Sequence, residues 1–198
     1  MGAPREIAVV TILDAAQKVF AEHGFSGASI AEVARVAGIP KANIHYYFST
    51  KETLYQEVLR RTMQEWLGGC EAWLKPDMPA TEALEGYIEA KLAFSRSNPQ
   101  ASRVFAHEIL GGARYLQDYI SSTLREAIRP FEATIAVWMD RQEIPRGDPL
   151  HFLFCLWAMT QWYADMQPQL TGLLGQKSLE EKDFSAAART ILSLVTRA

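Results

Sequence analysis

Helix-boundary residues follow one another closely between positions 24 and 52, so this part of the chain can hold only short helices. Ser29 stands three residues before Glu32, the spacing of a capping box, in which each side chain accepts a hydrogen bond from the other residue's backbone N–H. Gly38 then ends the helix that starts there, because glycine readily adopts the left-handed conformation that follows a helix C-terminus. A short helix is therefore predicted over about 30–37.

The neighbouring segments are predicted to be helical as well. An amphipathic helix precedes and ends at Gly24, and Pro40, which has a fixed φ and no N–H, suits the first turn of a helix running to about Tyr46. Ser49 and Glu52 repeat the capping spacing and begin a long amphipathic helix. Two short helices joined by a tight turn behind a longer helix form a helix-turn-helix, in which the second short helix enters the major groove of DNA.

The remainder of the chain has helical apolar periodicity throughout. Five further helices are predicted at about 80–97, 100–110, 114–141, 149–166 and 180–196. Pro130 is expected to kink the 114–141 segment or to split it in two. No stretch alternates β-branched and polar residues in the manner of a strand. The prediction is an all-α fold of about nine helices, with a helix-turn-helix domain at 1–50 and a second helical domain at 51–198.

Composition and short motifs exclude several classes of protein. Of the 198 residues 48% are hydrophobic and 22% charged, which is typical of soluble globular proteins and not of disordered ones. Cys70 and Cys155 lie far apart with no CxxC and no nearby histidine pair, so we expect neither a disulfide framework nor a zinc site, and no cofactor. With no secretory signal and no apolar run long enough for a membrane span, we expect a cytoplasmic protein with no membrane partner.

The second short helix combines a face suited to a small core with a face suited to base edges. Ile44 and Phe48 are spaced i, i+4 and can face the core, while Lys41, Ala42 and His45 share the opposite face. Lysine and histidine can donate hydrogen bonds to guanine acceptors, and the alanine methyl group can contact a thymine methyl group.

Residues beside that face are expected to hold phosphates, which set the position on the duplex without reading its sequence. These residues are Asn43, Tyr46, Tyr47 and Lys51. Up to residue 61 the chain has seven Lys and Arg against six Asp and Glu, so its sequence-independent affinity for DNA is expected to be modest.

The ordered residues of Phe25–Ala34 and Ala37–Leu54 resemble the DNA-binding signature of the TetR family of one-component transcriptional repressors. The resemblance implies a homodimer on a palindromic double-stranded operator. It also implies a helical C-terminal domain that binds a small-molecule effector and dimerises through a four-helix bundle made from its last two long helices. Carried over by position, Lys41, Ala42 and His45 would approach bases. The backbone would be contacted by Ser29, Asn43, Tyr46, Tyr47 and Lys51.

The predicted helix at 149–166 has a face that suits a planar ligand. Phe154, Trp157, Gln161 and Asp165 fall at i, i+3, i+7 and i+11, which combines aromatic surface with a carboxamide. A buried glutamine needs partners for one acceptor and two donors. A heterocycle with adjacent C=O and N–H groups could pair with it while lying on an indole.

Three C-terminal stretches, 87–96, 98–105 and 157–165, are similar to the C-terminal domain of pyrimidine-utilisation repressors within that family. The similarity implies a pyrimidine such as uracil as effector, bound in a pocket that includes Trp66, Trp157 and Gln161. The alternative is that Gln161 forms hydrogen bonds within the dimer bundle and that the effector is an unrelated apolar molecule.

Catalytic motifs are missing from the sequence. His107 and Glu108 begin like the HExxH zinc motif, but the position of the second histidine is Gly111. There is no dinucleotide-binding or phosphate-binding glycine loop and no serine elbow, so we expect no catalysis. The alternatives to a regulator are a helical dimeric scaffold or a small helical enzyme, in either case without sequence-specific DNA binding.

Overall fold

The computed structural model describes residues 3–196, which form eleven helices and no strand. The helices are α1 (Ala3–Gly27), α2 (Ile30–Ala37), α3 (Lys41–Tyr47), α4 (Lys51–Trp73), α5 (Ala80–Ser97), α6 (Pro99–Leu110), α7 (Gln117–Tyr119 and Arg125–Ala127 joined by a π-helical turn at Ile120–Leu124), α8 (Arg129–Asp140), α9 (Pro149–Asp165), α10 (Gln167–Leu174) and α11 (Glu181–Val195). The all-α prediction is confirmed, with more helices than the nine expected.

The two additional helices have local causes. The segment expected at 114–141 divides at Ile128, where φ is −85° and ψ is −14°, and Pro130 then lies in the first turn of α8. A proline is tolerated there because the N–H it lacks would have no partner within the helix. The second addition is α10, which follows α9 after Met166 and also has a proline, Pro168, in its first turn.

The boundaries of α2 follow the sequence prediction. The Ser29 hydroxyl accepts a hydrogen bond from the Glu32 N–H at 3.1 Å, which is the serine half of the expected capping box. At the other end Gly38 has φ +65°, and its N–H donates to the Ala34 carbonyl. Only glycine adopts this left-handed conformation without strain, and it turns the chain sharply toward α3.

The start of α4 differs from the prediction by one residue. The hydroxyl of Thr50, and not that of Ser49, accepts the hydrogen bond from the backbone N–H three residues later, at Thr53, over 3.1 Å. Serine and threonine cap a helix in the same way, so two adjacent hydroxyl residues leave the choice to the surrounding chain. The helix itself continues without a break to Trp73.

The described residues divide into two compact units. The first runs to Gln64 and includes Gln100–Asp118, whereas the second comprises Glu65–Pro99 and the chain from Tyr119 onward. The core of the second unit is built mainly from α5, α8, α9 and α11. Its largest buried side chains include Tyr87, Leu84, Ile88, Ile135 and Trp138. No helix in the described part of the chain is long and apolar enough to cross a membrane.

A buried carboxylate organises part of the first unit. Glu108 on α6 accepts a hydrogen bond from the Tyr115 N–H at 2.5 Å, and the Tyr55 side chain on α4 is also hydrogen-bonded to it. Burial and, after it, the Glu108 charge raise the pKa of the Tyr55 hydroxyl well above its ordinary value. The Tyr55 and Tyr115 rings lie 5.5 Å apart, so the residues after α6 pack on α4 within this unit.

Two glycines provide a matched test of packing in the second unit. A Cβ at Gly86 on α5 would lie 2.3 Å from atoms of the Trp73 ring, whereas a Cβ at Gly68 on α4 would have no neighbour within 4 Å. We therefore expect G86A to lower the free energy of unfolding by about 1–3 kcal/mol through overpacking. G68A should raise it by about 0.5–1 kcal/mol, because alanine loses less backbone entropy in a helix. Urea denaturation followed by circular dichroism measures both, and equal effects would contradict this account of Gly86.

Candidate functional site

The outward face of α3 is polar and free of acidic residues. Ile44 is completely buried and Phe48, the residue that follows α3, is nearly so, as their spacing predicts. Lys41, Ala42 and His45 are exposed together on the other side. The helix thus presents the predicted base-facing residues to solvent, with two hydrogen-bond donors and one methyl group among them.

The tyrosines at the end of α3 form a pair on its surface. Tyr46 is 76% exposed and Tyr47 is half-buried, and their rings meet almost at right angles with centres 5.1 Å apart. Asn43 is exposed on the same helix. Ser29, at the N-terminus of α2, uses its oxygen to accept the capping hydrogen bond, so its hydroxyl hydrogen remains suited to donate to a phosphate.

Lys51 differs from the other predicted phosphate contacts, since its ammonium group is turned toward the protein. It donates hydrogen bonds to the carbonyl oxygens of Phe25 at 2.8 Å and Ala28 at 3.1 Å. The same nitrogen lies 4.3 Å from the centre of the Phe25 ring. Two of its three donors therefore brace the connection between α1 and α2, and one remains for another partner.

The predicted effector residues gather in the second unit around a lysine that sequence analysis did not single out. Lys91 on α5 is only 6% exposed, and its Nζ lies 4.2 Å from the centre of the Trp66 ring on α4. Phe94 packs edge-on against the same indole, with ring centres 6.2 Å apart. A cation above an indole face is attracted by the ring quadrupole, most strongly where water is excluded.

Trp157 on α9 is tied to the same region through a tyrosine. Its indole N–H donates to the Tyr87 hydroxyl at 2.9 Å, and the Cys70 sulfur lies 3.4 Å from that hydroxyl. Burial raises the pKa of both the Tyr87 hydroxyl and the Cys70 thiol, so both groups are protonated at neutral pH. The Trp157 ring is thereby held in a fixed orientation, with its polar edge occupied within the protein.

Gln161, one turn further along α9, is held by its own helix. Its amide nitrogen donates to the Asp165 carboxylate at 3.1 Å, and both side chains are partly exposed. This hydrogen bond fixes the direction of the carboxamide and uses one of its two N–H groups. The carbonyl oxygen and the second N–H are suited to pair with a ligand.

Burial and the neighbouring titratable groups shift the pKa of Lys91 in opposite directions. Burial lowers the pKa of its ammonium group to about 8, and the neighbouring Cys70 and Asp165 act in the other direction. Trp66 contacts Lys91 directly. Trp157 is hydrogen-bonded to Tyr87, whose hydroxyl contacts Cys70, and Gln161 is hydrogen-bonded to Asp165. Cys70 and Asp165 both act electrostatically on Lys91, which connects the three predicted residues with its surroundings. One sequence feature could have indicated Lys91: it lies four residues after Tyr87 on α5, so the two side chains share one face of the helix.

Other candidate features lie elsewhere. His107 is exposed on α6, while Glu108 beside it is buried among the tyrosines of the first unit. Among residues 3–196 no group of three or more His, Cys, Asp and Glu side chains is placed to hold a metal ion. A groove of about 370 Å³ between α5 and α11 is lined by none of Trp66, Lys91, Trp157 and Gln161. It is lined in part by Glu85, Glu89, Arg96, Glu181 and Arg189.

Comparison with known proteins gives matches that together span nearly all of the chain. Residues 12–58 match the model for bacterial regulatory proteins of the tetR family, and residues 59–198 match the C-terminal region of YcdC-like proteins. The HTH-type transcriptional regulator RutR of Escherichia coli (strain K12) is 37% identical over 184 residues, which is 93% of this chain and 86% of RutR.

Solved structures share the fold over almost the whole chain at lower sequence identity. The hemolysin II transcriptional regulator HlyIIR has a TM-score of 0.68 and 21% identity, covering 98% of this chain and 99% of its own. AibR, crystallised with isovaleryl coenzyme A and operator DNA, has a TM-score of 0.76 and 16% identity, covering 96% and 98%. Together with the helix-turn-helix and the helical second unit, these matches establish that the chain belongs to the TetR family of bacterial DNA-binding transcriptional regulators.

Proposed function

We propose that this regulator is a homodimeric repressor that leaves a palindromic operator when a small planar nitrogen heterocycle of the pyrimidine type binds in its second unit. The observation that carries the proposal is the linkage of Trp66, Trp157 and Gln161 around Lys91. Trp66, Trp157 and Gln161 were predicted from the sequence, and they lie on two helices, α4 and α9, that are far apart in the chain.

The chemistry of this cluster suits such a ligand. The faces of the Trp66 and Trp157 indoles offer apolar surface on which a flat ring can stack. The Gln161 carboxamide, already oriented by Asp165, offers an acceptor and a donor side by side. A ring with an N–H next to a C=O group is complementary to that pair.

The effector can act on DNA binding through α4. Trp66 lies on this helix, and the residues of the same helix up to Gln64 belong to the first unit. A ligand that binds one arrangement of α4 more tightly than another shifts the population toward that arrangement. The resulting loss of operator affinity is limited by the difference in ligand affinity between the two arrangements.

Within this proposal, residues 1–50 bind DNA and residues 51–198 bind the effector and dimerise. Support for dimerisation comes from the exposed apolar surface of α9, where Cys155, Ala158 and Trp162 recur at i, i+3 and i+7, and from Leu194 on α11, which is 66% exposed. Two recognition helices in such a dimer would address half-sites separated by about 34–36 Å, or by a multiple of that distance.

Lys41 and Lys51 should respond differently to substitution. We expect K41A to weaken binding to an operator selected from random DNA by about 1–3 kcal/mol and to leave the free energy of unfolding unchanged, because Lys41 is exposed on α3. K51M should lower the free energy of unfolding by about 1–3 kcal/mol, because it removes two hydrogen bonds to backbone carbonyls. Fluorescence anisotropy and urea denaturation measure the two effects, and unchanged operator affinity in K41A would remove Lys41 from the interface.

Dimerisation through α9 predicts a specific response to charge. We expect W162E to convert the dimer to a monomer, because a carboxylate would be buried in the apolar interface. L173E, which places the same charge on an exposed leucine of α10 outside that face, is the matched control and should remain dimeric. Light scattering gives the mass of each variant, and a dimeric W162E would contradict this interface.

The proposed effector site is tested with uracil. We expect uracil to raise the melting temperature of the wild-type protein and to release the selected operator. Q161A should bind uracil roughly 2- to 12-fold more weakly, the loss of one hydrogen-bonding group. Q169A, which truncates an exposed glutamine on α10, is the control. Equal uracil affinity in Q161A and Q169A would contradict the role given to Gln161.

A further inference from the structure

We propose that Lys91 is the specificity-determining residue of the effector site and that it donates a hydrogen bond to a ring carbonyl oxygen, which selects uncharged oxo-heterocycles. This inference rests on the effector site proposed above and names the class of ligand that the site accepts. It depends on a buried lysine of α5 that lies within the stretch 87–96 but was given no role from the sequence.

The first step is the hydrogen-bonding state of Lys91. An ammonium group has three donors and no acceptor. In the part of the chain that the structure describes, its close polar contact is the Trp66 ring face, and no carbonyl or carboxylate oxygen accepts a hydrogen bond from it. Because Lys91 is only 6% exposed, water cannot satisfy all three donors of its ammonium group. Lys91 is thus poised to donate to an oxygen that a ligand brings.

The second step is the charge balance of the site. The titratable groups that act on Lys91 are Cys70 on α4 and Asp165 on α9, and Tyr87 on its own helix is hydrogen-bonded to Cys70. Burial keeps the thiol and the hydroxyl protonated, so the charges that remain are one ammonium and one carboxylate. A ligand with a net negative charge would be attracted by Lys91 and repelled by Asp165. A neutral ring with an acceptor for Lys91 and a donor for Asp165 is complementary to both side chains.

The third step is the class of ligand. A ring carbonyl next to a ring N–H provides an acceptor toward Lys91 and a donor toward the Gln161 and Asp165 pair, while the flat ring lies against the indoles. Uracil has this pattern. Cytosine keeps the ring but replaces one carbonyl by an amino group, and orotate keeps both carbonyls but adds a carboxylate. Wild-type protein should therefore bind uracil more tightly than cytosine and more tightly than orotate.

Proton uptake provides the distinguishing measurement. A carbonyl oxygen that accepts from Lys91 favours the ammonium form and raises its pKa above the value of about 8 in the unliganded protein. Around pH 8 and above, uracil binding should then take up a substantial fraction of a proton per site, and at pH 6 almost none, because Lys91 is already protonated there. The affinity should fall as the pH rises through 8. Calorimetry in two buffers with different ionisation enthalpies measures the uptake directly.

The variants separate this inference from the proposed function. K91M keeps the length of the side chain without the charge. It should bind uracil roughly tenfold more weakly or worse, take up no proton, and lose most of the preference for uracil over cytosine. K75M, at an exposed lysine of the same unit, is the matched control and should behave as wild type. The wild-type proton measurement does not depend on the folding of any variant.

Each outcome has a distinct meaning. Uracil binding without proton uptake, or with proton release, together with unchanged affinity in K91M, overturns the role of Lys91 and leaves the effector site standing. Tighter binding of orotate than of uracil overturns the choice of uncharged ligands. Failure of the wild-type protein to bind any of the three heterocycles overturns the pyrimidine-type effector itself, and this inference with it.

Discussion

The burial of Ile44 and Phe48 is the constraint on which the exposed face of α3 depends. A helix of seven residues such as α3 is not stable alone, because its nucleation cost exceeds what so few hydrogen bonds return. It is held in place by the apolar side chains that it buries. Because of the helical period, the residues on the opposite face then point toward solvent. The exposure of Lys41 and His45 is therefore a consequence of core packing. The residues on this exposed face of α3 can change while the position of the helix stays the same.

Where structure is determined by neighbouring residues, the sequence was sufficient to predict it. The turn at Gly38 and the cap at Ser29 depend on one residue each, and both form as expected. The start of α4 was misplaced because Ser49 and Thr50 are chemically equivalent caps, and only the surrounding chain selects between them. The break at Ile128 was anticipated through Pro130, whose missing N–H must lie in a first turn.

The surroundings of Lys91 illustrate what the sequence alone does not show. The indoles and Gln161 could be proposed from helical spacing and family resemblance, but a lysine in an amphipathic helix ordinarily indicates a solvated surface. Lys91 is buried because Trp66 and Asp165, which are distant in the chain, are brought to it by the packing of three helices. Lys51 in the first unit also differs from what its sequence position suggested. Its position next to α3 suggested a phosphate contact, whereas its ammonium group donates hydrogen bonds to the carbonyl oxygens of Phe25 and Ala28.

A buried ammonium group is costly to a folded domain, and replacing such groups with apolar ones is often neutral or stabilising. At Lys91 that cost is reduced by the Trp66 ring and by the charge of Asp165, but the donors themselves are not satisfied by protein oxygens in the described residues. A ligand oxygen that accepts from Lys91 would remove part of this cost and stabilise the second unit, and with it the arrangement of α4 around Trp66. The same unfavourable burial that makes Lys91 hard to predict would then supply free energy for linking effector binding to the helix that continues into the first unit.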